Sequence, residues 1–491
     1  MIVLAFILIL IAYFVLSTRR RAKEPPGPFK WPIVGNLPQI AMINWSRVWF
    51  AIDHYSKQYG DIMGMYFGSR YVVVLSNPKD IHEVMKRDEW NGRVRDNNEK
   101  VKSSGKHLGL FLTQGELWRE TRRFTLRNLR DFGFGKADME TSIMSEYRTV
   151  EEYLDNQIKT ENGEVCFDDL FGPPVVSTLW KMVAGTNCDF EDPHIRRMQQ
   201  VVVDTLRRRA IGAGLFFAFQ QLGRLFPELS GFAQQRDGFK FLKDKMKELV
   251  DEHKETRVPG VLRDFIDVYM EEQEKNPDNP NFFDEQLAVL CMDLFVAGSD
   301  TTTNTLRFVI LYLILHPDVM KKCQEEIDTE IGRERQVGIS DKEKLPYTQA
   351  FLLETDRYCS MAPIVTPHCL TKDVVYKGYE IPEGTIIFMN NWGIHRSKER
   401  WGDPENFRPD RFIDGNGKVI TNDEWFVPFG SGKRRCPGEI LARANVFLYA
   451  ANLLQHYSFS VIPGTTKPSD EPVIGLNLSA QPYSALVERR K

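Results

Sequence analysis

The chain carries seven cysteines, and one of them, Cys436, stands in a setting prepared for chemistry. It lies in Phe429-Gly430-Ser431-Gly432-Lys433-Arg434-Arg435-Cys436-Pro437-Gly438. Pro428 and the two glycines ahead of it permit a tight, non-helical path. Pro437 suits the first position of a helix, and residues 439–454 read as that helix. Cys436 is therefore expected at a helix N-terminus among Lys433, Arg434 and Arg435, where amide dipoles and cations favour thiolate over thiol. With no second cysteine or histidine at chelating spacing, such a thiolate makes a poor zinc site. It suits instead one axial bond to a heme iron, with the opposite face left open for oxygen. A reactive or merely buried cysteine is the competing reading.

A second block is equally out of place for folding alone. Residues 284–316 read as one helix of about 32 residues, about 48 Å long, with Asp284 as a possible cap and Pro317 as its stop. Both ends of this run are apolar nearly all round, so the helix is buried. Its middle is Ala297-Gly298-Ser299-Asp300-Thr301-Thr302-Thr303-Asn304. Glycine costs up to ~1 kcal/mol against alanine there, and β-branched threonines are poor helix formers. A buried acid is expensive unless paired. Thr301 can bond the carbonyl four residues back and loosen the helix locally.

The pattern Phe429-x-x-Gly432-x-Arg434-x-Cys436-x-Gly438 resembles the heme-ligand signature of the cytochrome P450 family, and the Ala297–Thr301 block resembles the same family's distal-helix motif. The resemblance runs from the prolines near residue 25 almost to the C-terminus. It implies a mostly α fold with a small β-rich lobe, a long central distal helix and a heme-thiolate loop. It makes heme b (iron protoporphyrin IX) the cofactor, Cys436 its iron ligand and Phe429 a neighbour of the sulfur. Arg434, the pair Trp118 and Arg122, and also Arg93 and His368, are implied as partners of the heme propionates. Trp118 and Arg122, four apart, share a helix face, which alone would read as a solvated basic helix. Asp300 and Thr301 are implied as the catalytic pair, Thr301 holding water at the oxygen site and Asp300 linking it to bulk protons. Glu354 and Arg357, at i and i+3 on a helix opened near Pro346 and closed by Pro363, would alone be an exposed pair of little value. With Phe407-Arg408-Pro409-Asp410-Arg411-Phe412 they resemble the family's structural network of Glu354, Arg357 and Arg411. Asp410 stands where that motif carries glutamate.

The remaining elements position this machinery. At 491 residues with no linker or repeat, the chain reads as one large body behind an N-terminal extension. Residues 1–16 are apolar throughout, and Arg19, Arg20, Arg21 and Lys23 follow them. Positive charge after the apolar run reads as an uncleaved anchor with the body on the cytosolic side, rather than a cleaved signal peptide. The expected division is 1–18 anchor, 19–36 basic and proline-rich hinge, and 37–491 catalytic domain. The resemblance implies the endoplasmic reticulum membrane. Pro25-Pro26-Gly27-Pro28 makes a stiff spacer. A helix is expected near 45–59, then strands at 61–66 and 70–75 joined by Gly68-Ser69. An odd cysteine count without CxxC pairs excludes a disulfide framework. A formal net charge of −3 excludes a general nucleic-acid field.

The segment 207–232, with Leu215, Phe216, Phe217, Ala218, Phe219, Leu225 and Phe226 edged by Arg207, Arg208, Arg209 and Arg224, reads as core or as a patch dipping into membrane lipid. The resemblance favours the second and places it over the substrate entrance. Substrate contacts are implied at 94–111, around Ala297, at 361–365 and at 474–478; these are mostly apolar, so the substrate is expected to be lipophilic.

No dinucleotide or phosphate-binding glycine motif occurs, so electrons for oxygen (O2) activation must come from outside. The resemblance implies NADPH, through NADPH–cytochrome P450 reductase, with cytochrome b5 as a further partner. Lys433, Arg435, Arg119, Arg123, Arg127 and Arg130 would offer an acidic partner a basic face. Two alternatives remain at this level: a heme-thiolate isomerase or dehydratase that needs no reductase, and a heme-binding protein without turnover. Pro437 has no N–H, so the neighbouring sulfur lacks one possible hydrogen bond and stays electron-rich. Pro437→Leu is expected to raise the reduction potential of the bound heme in a spectroelectrochemical titration; an unchanged or lower potential contradicts this.

Overall fold

Asp284 to Leu315 forms one unbroken helix through the middle of the molecule, and 23 of its 32 residues are buried. In this computed structural model, which describes residues 2–94, 102, 105–188, 192–208 and 213–490, the other long helices pack around that axis. The elements used below are helices α1 (Ile2–Thr18), α2 (Leu37–Asn44), α3 (Val48–Tyr59), α4 (Gly115–Asp131), α5 (Asp284–Leu315), α6 (Pro346–Cys359) and α7 (Glu439–His456). Helices Gly172–Ala184 and Phe232–Thr256, together with α7, make the broadest contacts with α5. Leu287, Leu290, Phe295, Leu306 and Leu313 of α5 join Phe447 and Leu454 of α7 in one apolar core.

The β-rich lobe is a five-stranded sheet. β1 (Ile62–Phe67) and β2 (Arg70–Leu75) form the expected hairpin, with Ile62 opposite Leu75 and Phe67 opposite Arg70. β3 (Gly92–Arg93), β4 (His368–Cys369) and β5 (Ile386–Met389) complete it in the order β1-β2-β5-β4-β3. β2 and β5 run parallel, which brings residues some 310 positions apart into one sheet; all four residues of β5 are buried. Mostly α with a small β lobe is thus the observed architecture.

Several local expectations shift. The helix expected near 45–59 is α3, which starts at Val48; α2, with Pro38 in its first turn, is an additional helix ahead of it. Asp284 does not cap α5: Phe283 holds the cap position, and the Asp284 carboxylate accepts from Lys254 and from Gln273 Nε2 at 3.2 Å instead. α6 ends before Pro363, at Ser360 in the left-handed region (φ 42°). α7 begins at Glu439 with Gly438 as its cap, so Pro437 precedes the helix rather than opening it. α1 has 17 residues, about 26 Å. Among the described residues no helix is long and apolar enough to cross a membrane.

One buried histidine ties the helix Phe232–Thr256 to its successor, Phe265–Lys275. His253 Nε2 lies 3.1 Å from Asp264 Oδ2, its Nδ1 lies 2.8 Å from Leu249 O, and Asp264 also caps the second helix through Asp267 N. Burial alone would push the imidazole pKa down; the Asp264 and Leu249 acceptors and the Asp264 charge outweigh it, and the net shift is upward. A raised folded-state pKa gives stability that is fully present below the unfolded value of about 6.5 and fades as pH rises through the folded value. The difference in thermal midpoint between wild type and His253→Gln is therefore expected to be larger at pH 6 than at pH 8.5; an equal difference at both contradicts it.

Candidate functional site

The loop before Cys436 takes a path that few residues allow. Gly430 and Gly432 both have positive φ, 72° and 68°, and a Cβ at Gly432 would stand 2.2 Å from Met85 O. The same carbonyl accepts from Lys433 N at 3.2 Å and Asn91 Nδ2 at 3.1 Å. The loop is thereby pinned to the segment that leads into β3. Cys436 N donates to Phe429 O at 3.0 Å and closes the turn, while the Arg443 guanidinium lies 4.8 Å from the Phe429 ring centre. By area Cys436 is exposed, yet enough protein surrounds its thiol for desolvation to act on it.

Burial pushes the Cys436 thiol up. The amides of Gly438 and Glu439 and the charge of Arg122 act the other way without overcoming it. The expectation that the flanking cations would tip the free thiol to thiolate is corrected here, because those cations are spent elsewhere. Lys433 pairs with Asp88 at 2.6 Å, Arg435 with Glu439 at 2.6 and 2.8 Å, and Arg434 turns toward the β lobe.

Arg434 stacks on Trp118, with its guanidinium carbon 3.7 Å from the ring centre, and donates to Asn91 O at 3.0 Å and Thr113 O at 2.7 Å. Arg122, one turn beyond Trp118 on α4, donates to Arg435 O at 2.6 Å. Arg93 donates through Nε to Phe111 O at 3.1 Å, and across the β3–β4 pair it stands opposite His368. Burial, together with Arg93 and Arg122, pulls the Arg434 pKa down to about 8. Burial and the charges of Arg93 and Arg434 hold His368 well below its ordinary value, so it is neutral. Among the described residues neither Arg122 nor Arg434 pairs with a carboxylate. Half-buried guanidinium groups such as these two, crowded together with no carboxylate partner, form a receptor for anionic groups. Heme would bring two propionates for these cations to hold and an iron for the Cys436 sulfur, so these residues fit heme.

On α5 the polar block behaves as the residue types require. Thr301 Oγ1 donates to Ala297 O at 2.9 Å, and Ser299, Thr303 and Thr305 each bond the carbonyl four residues back. Ala297 is exposed and Thr301 half-buried on a helix most of whose residues are buried, and at four residues apart they share one face. Asp300, next in sequence, points another way. Its Oδ1 accepts from Asn304 Nδ2 at 2.8 Å and its Oδ2 from Asn477 Nδ2 at 3.3 Å, and it borders a polar cavity of about 460 Å³ lined also by Asp168, Arg196 and Arg307. Asn304 stood in the polar block and Asn477 in the expected substrate segment, but their role as partners of Asp300 escaped the sequence reading. An asparagine one turn after a mid-helix acid was the available signal for the first; nothing local marked the second, 177 positions away.

Two further residues were missed. Asp293 Oδ2 accepts from Leu110 N at 2.8 Å and Phe111 N at 3.0 Å, its Oδ1 pairs with Lys102, and Gln286 bonds both the N–H and the C=O of Gly109. Lying seven apart on α5, they hold the 105–113 loop against the distal helix. Part of the 94–111 segment lies outside the described residues, as does Arg209.

Glu354, Arg357 and Arg411 are brought together and buried. Arg357 grips Glu354 through Nε at 2.7 Å and Nη2 at 2.8 Å, and Arg411 Nε reaches Glu354 Oε1 at 3.1 Å. Other guanidinium hydrogens go to His395 O, Pro404 O, Trp401 O, Asn406 O and Asp403, which knits α6 to the chain approaching the Cys436 loop. The aromatic run at 216–219 is not one lipid-facing patch. Phe217 packs on Phe67 and Phe388, and Arg70 lies over its ring; among the described residues of this neighbourhood the strongly exposed apolar ones are Leu225, Phe226 and Leu229. Of the basic face, Arg119 pairs with Glu116 and Asp88, while Arg123, Arg127 and Arg130 are exposed and make no ion pair among the described residues.

A family model described as Cytochrome P450 matches residues 25–487. Similar proteins include a farnesoate epoxidase of Bombyx mori, 34% identical over 497 residues that cover 100% of this chain and 98% of that protein. Cytochrome P450 2U1 of Homo sapiens is 31% identical over 96% of this chain and 90% of its own length. Cytochrome P450 2J2 of Homo sapiens is 31% identical over 96% and 92% respectively.

Proposed function

The chain belongs to the cytochrome P450 family of monooxygenases, and from that membership we propose that it inserts one oxygen atom of O2 into a lipophilic molecule, by hydroxylation or epoxidation. In this reading residues 1–18 anchor it to the endoplasmic reticulum membrane, residues 19–36 form the hinge, and 37–491 work on the cytosolic face. Electrons come from NADPH through a separate reductase, with cytochrome b5 as a second donor. The observation that carries the reading is the cluster of Arg93, Arg122 and Arg434 beside Cys436. A heme bound there through the Cys436 thiolate supplies oxygen activation.

The chain's own groups do the rest. Arg122, Arg434 and Arg93, with Trp118 and His368, hold the two propionates. Ala297 leaves room beside α5, and the Thr301 hydroxyl, oriented by Ala297 O, would hold water there. Asp300, kept by Asn304 and Asn477 at the edge of a polar cavity, moves protons between that cavity and Thr301. Asp293 and Gln286 fix the loop that carries Phe111, and Phe111, Ala297 and residues 361–365 exclude bulk water from an apolar substrate. Farnesoate, named for one relative, is an elongated terpenoid acid, and a substrate of that apolar class suits these residues.

A substrate screen by optical spin-state shift, followed by product identification in vesicles with reductase and NADPH, tests the proposal. Product that forms without reductase or NADPH would favour the isomerase or dehydratase reading. NADPH consumption with every ligand but no product would favour the carrier reading.

A further inference from the structure

The hinge is not a free spacer. Arg20, two residues beyond the end of α1, is drawn into the catalytic body. Its Nη2 donates to Pro25 O at 2.7 Å and to Gly64 O of β1 at 3.1 Å, its Nη1 donates to Pro28 O at 3.2 Å, and its Nε lies 3.6 Å from Glu24 Oε2. Glu24 is only 8% exposed and accepts from the Tyr66 hydroxyl at 2.5 Å. Backbone bonds run on both sides of this pair: Gly64 N donates to Pro26 O at 2.8 Å, and Glu380 N donates to Lys23 O at 2.9 Å. Lys23 adds an ion pair to Glu380 at 2.6 Å.

Two glycines make the space. A Cβ at Gly27 would lie 1.9 Å from Gly64 O, and one at Gly64 would lie 2.6 Å from Arg20 Nη2. A fork of three carbonyls and a buried carboxylate uses the planar guanidinium in a way that an ammonium cannot copy.

The chain that follows this clamp exposes large apolar groups: Phe29, Trp31 and Ile33, then Met42 (74% exposed), Ile43 and Trp45 at the end of α2. α2 buries Leu37 and Ile40 on one side and presents these residues on the other. Exposed aromatic and apolar side chains next to an apolar helix, with the exposed cations Arg19 and Arg21 between them, match a bilayer surface rather than a protein partner.

We infer that Arg20 locks α1 to β1, so that the body meets the lipid surface at a fixed angle with Ile33, Met42 and Trp45 shallowly immersed. The inference rests on the reading that α1 lies in the membrane. In a loosely hinged protein, α1 alone would hold the body and the 29–45 face would visit lipid only transiently.

The test uses the full-length, heme-loaded protein, with an environment-sensitive fluorescent amino acid at position 42, on vesicles of phosphatidylcholine and phosphatidylserine. Brominated lipids report contact of position 42 with the bilayer, and sedimentation reports membrane binding. Arg19→Ala is the charge-matched control for Arg20→Ala. Wild type and Arg19→Ala are expected to show strong quenching, whereas Arg20→Ala still sediments with vesicles but loses most of it. If Arg20→Ala does not accumulate as folded protein, Arg20→Lys, which keeps the charge, is expected to show the same loss. Equal quenching in all variants, equal losses in Arg19→Ala and Arg20→Ala, or no quenching in membrane-bound wild type each overturn the inference. Wild type that fails to sediment with vesicles removes the anchor reading, and this inference with it.

Discussion

Arg357→Ala leaves little folded, heme-loaded protein. Removing one partner of a buried ion pair costs about 3–5 kcal/mol, because the other charge stays buried and uncompensated. Glu354 is fully buried, and Arg357 supplies two of its hydrogen bonds. Among the described residues Arg411 Nε at 3.1 Å and Arg408 N at 2.8 Å would remain to it, so one single-bonded cation replaces the two-pronged grip and the loss is expected at the lower end of that range. The same substitution frees the carbonyls of His395 and Pro404, so the damage spreads to the chain that leads toward the Cys436 loop. Glu354→Ala should be equally severe, and the double variant no worse than either, since all three remove one unit. Heme content per protein and thermal midpoint measure the effect. A variant with normal values for both shows that the pair is dispensable.

Asp300→Asn is expected to fold normally and bind substrate with unchanged affinity, while product formation falls about 100-fold, within the range for removal of a general acid or base. The amide is nearly isosteric and keeps one acceptor oxygen for Asn304 or Asn477, so α5 should not move. What it lacks is a proton to exchange between the polar cavity and Thr301. The lost turnover should reappear as hydrogen peroxide per NADPH consumed, with a larger solvent deuterium isotope effect than wild type. Thr301→Ala, which deletes the hydroxyl 2.9 Å from Ala297 O, should show the same leak. Unchanged product yield in Asp300→Asn would remove Asp300 from the proton path.

The α5 polar block and the Cys436 loop were legible in the sequence for the same reason: each holds residues that folding alone would not choose. An acid and β-branched threonines inside a buried helix, and a lone cysteine after two glycines that must take positive φ, oppose local propensity and so point to chemistry. Helices and the β1–β2 hairpin follow from the sequence where periodicity and turn residues act within a dozen positions. The misses are groups whose partners are distant in the chain. Asp293 looks like an error in an apolar helix until the amides of Leu110 and Phe111, more than 180 positions earlier, arrive to satisfy it. Arg20 looks like part of a basic flank until Gly64 O meets it. The cations beside Cys436 misled in the opposite sense, because sequence proximity counted their charge but could not show that Asp88 and Glu439 had taken Lys433 and Arg435.

The account depends on a thiolate bond from Cys436 to heme iron. The purified, folded protein is reduced under carbon monoxide and its Soret band recorded. A band at about 450 nm, lost in Cys436→Ala, is the predicted result. A heme-loaded wild type without that band, or a band that survives in Cys436→Ala, contradicts it.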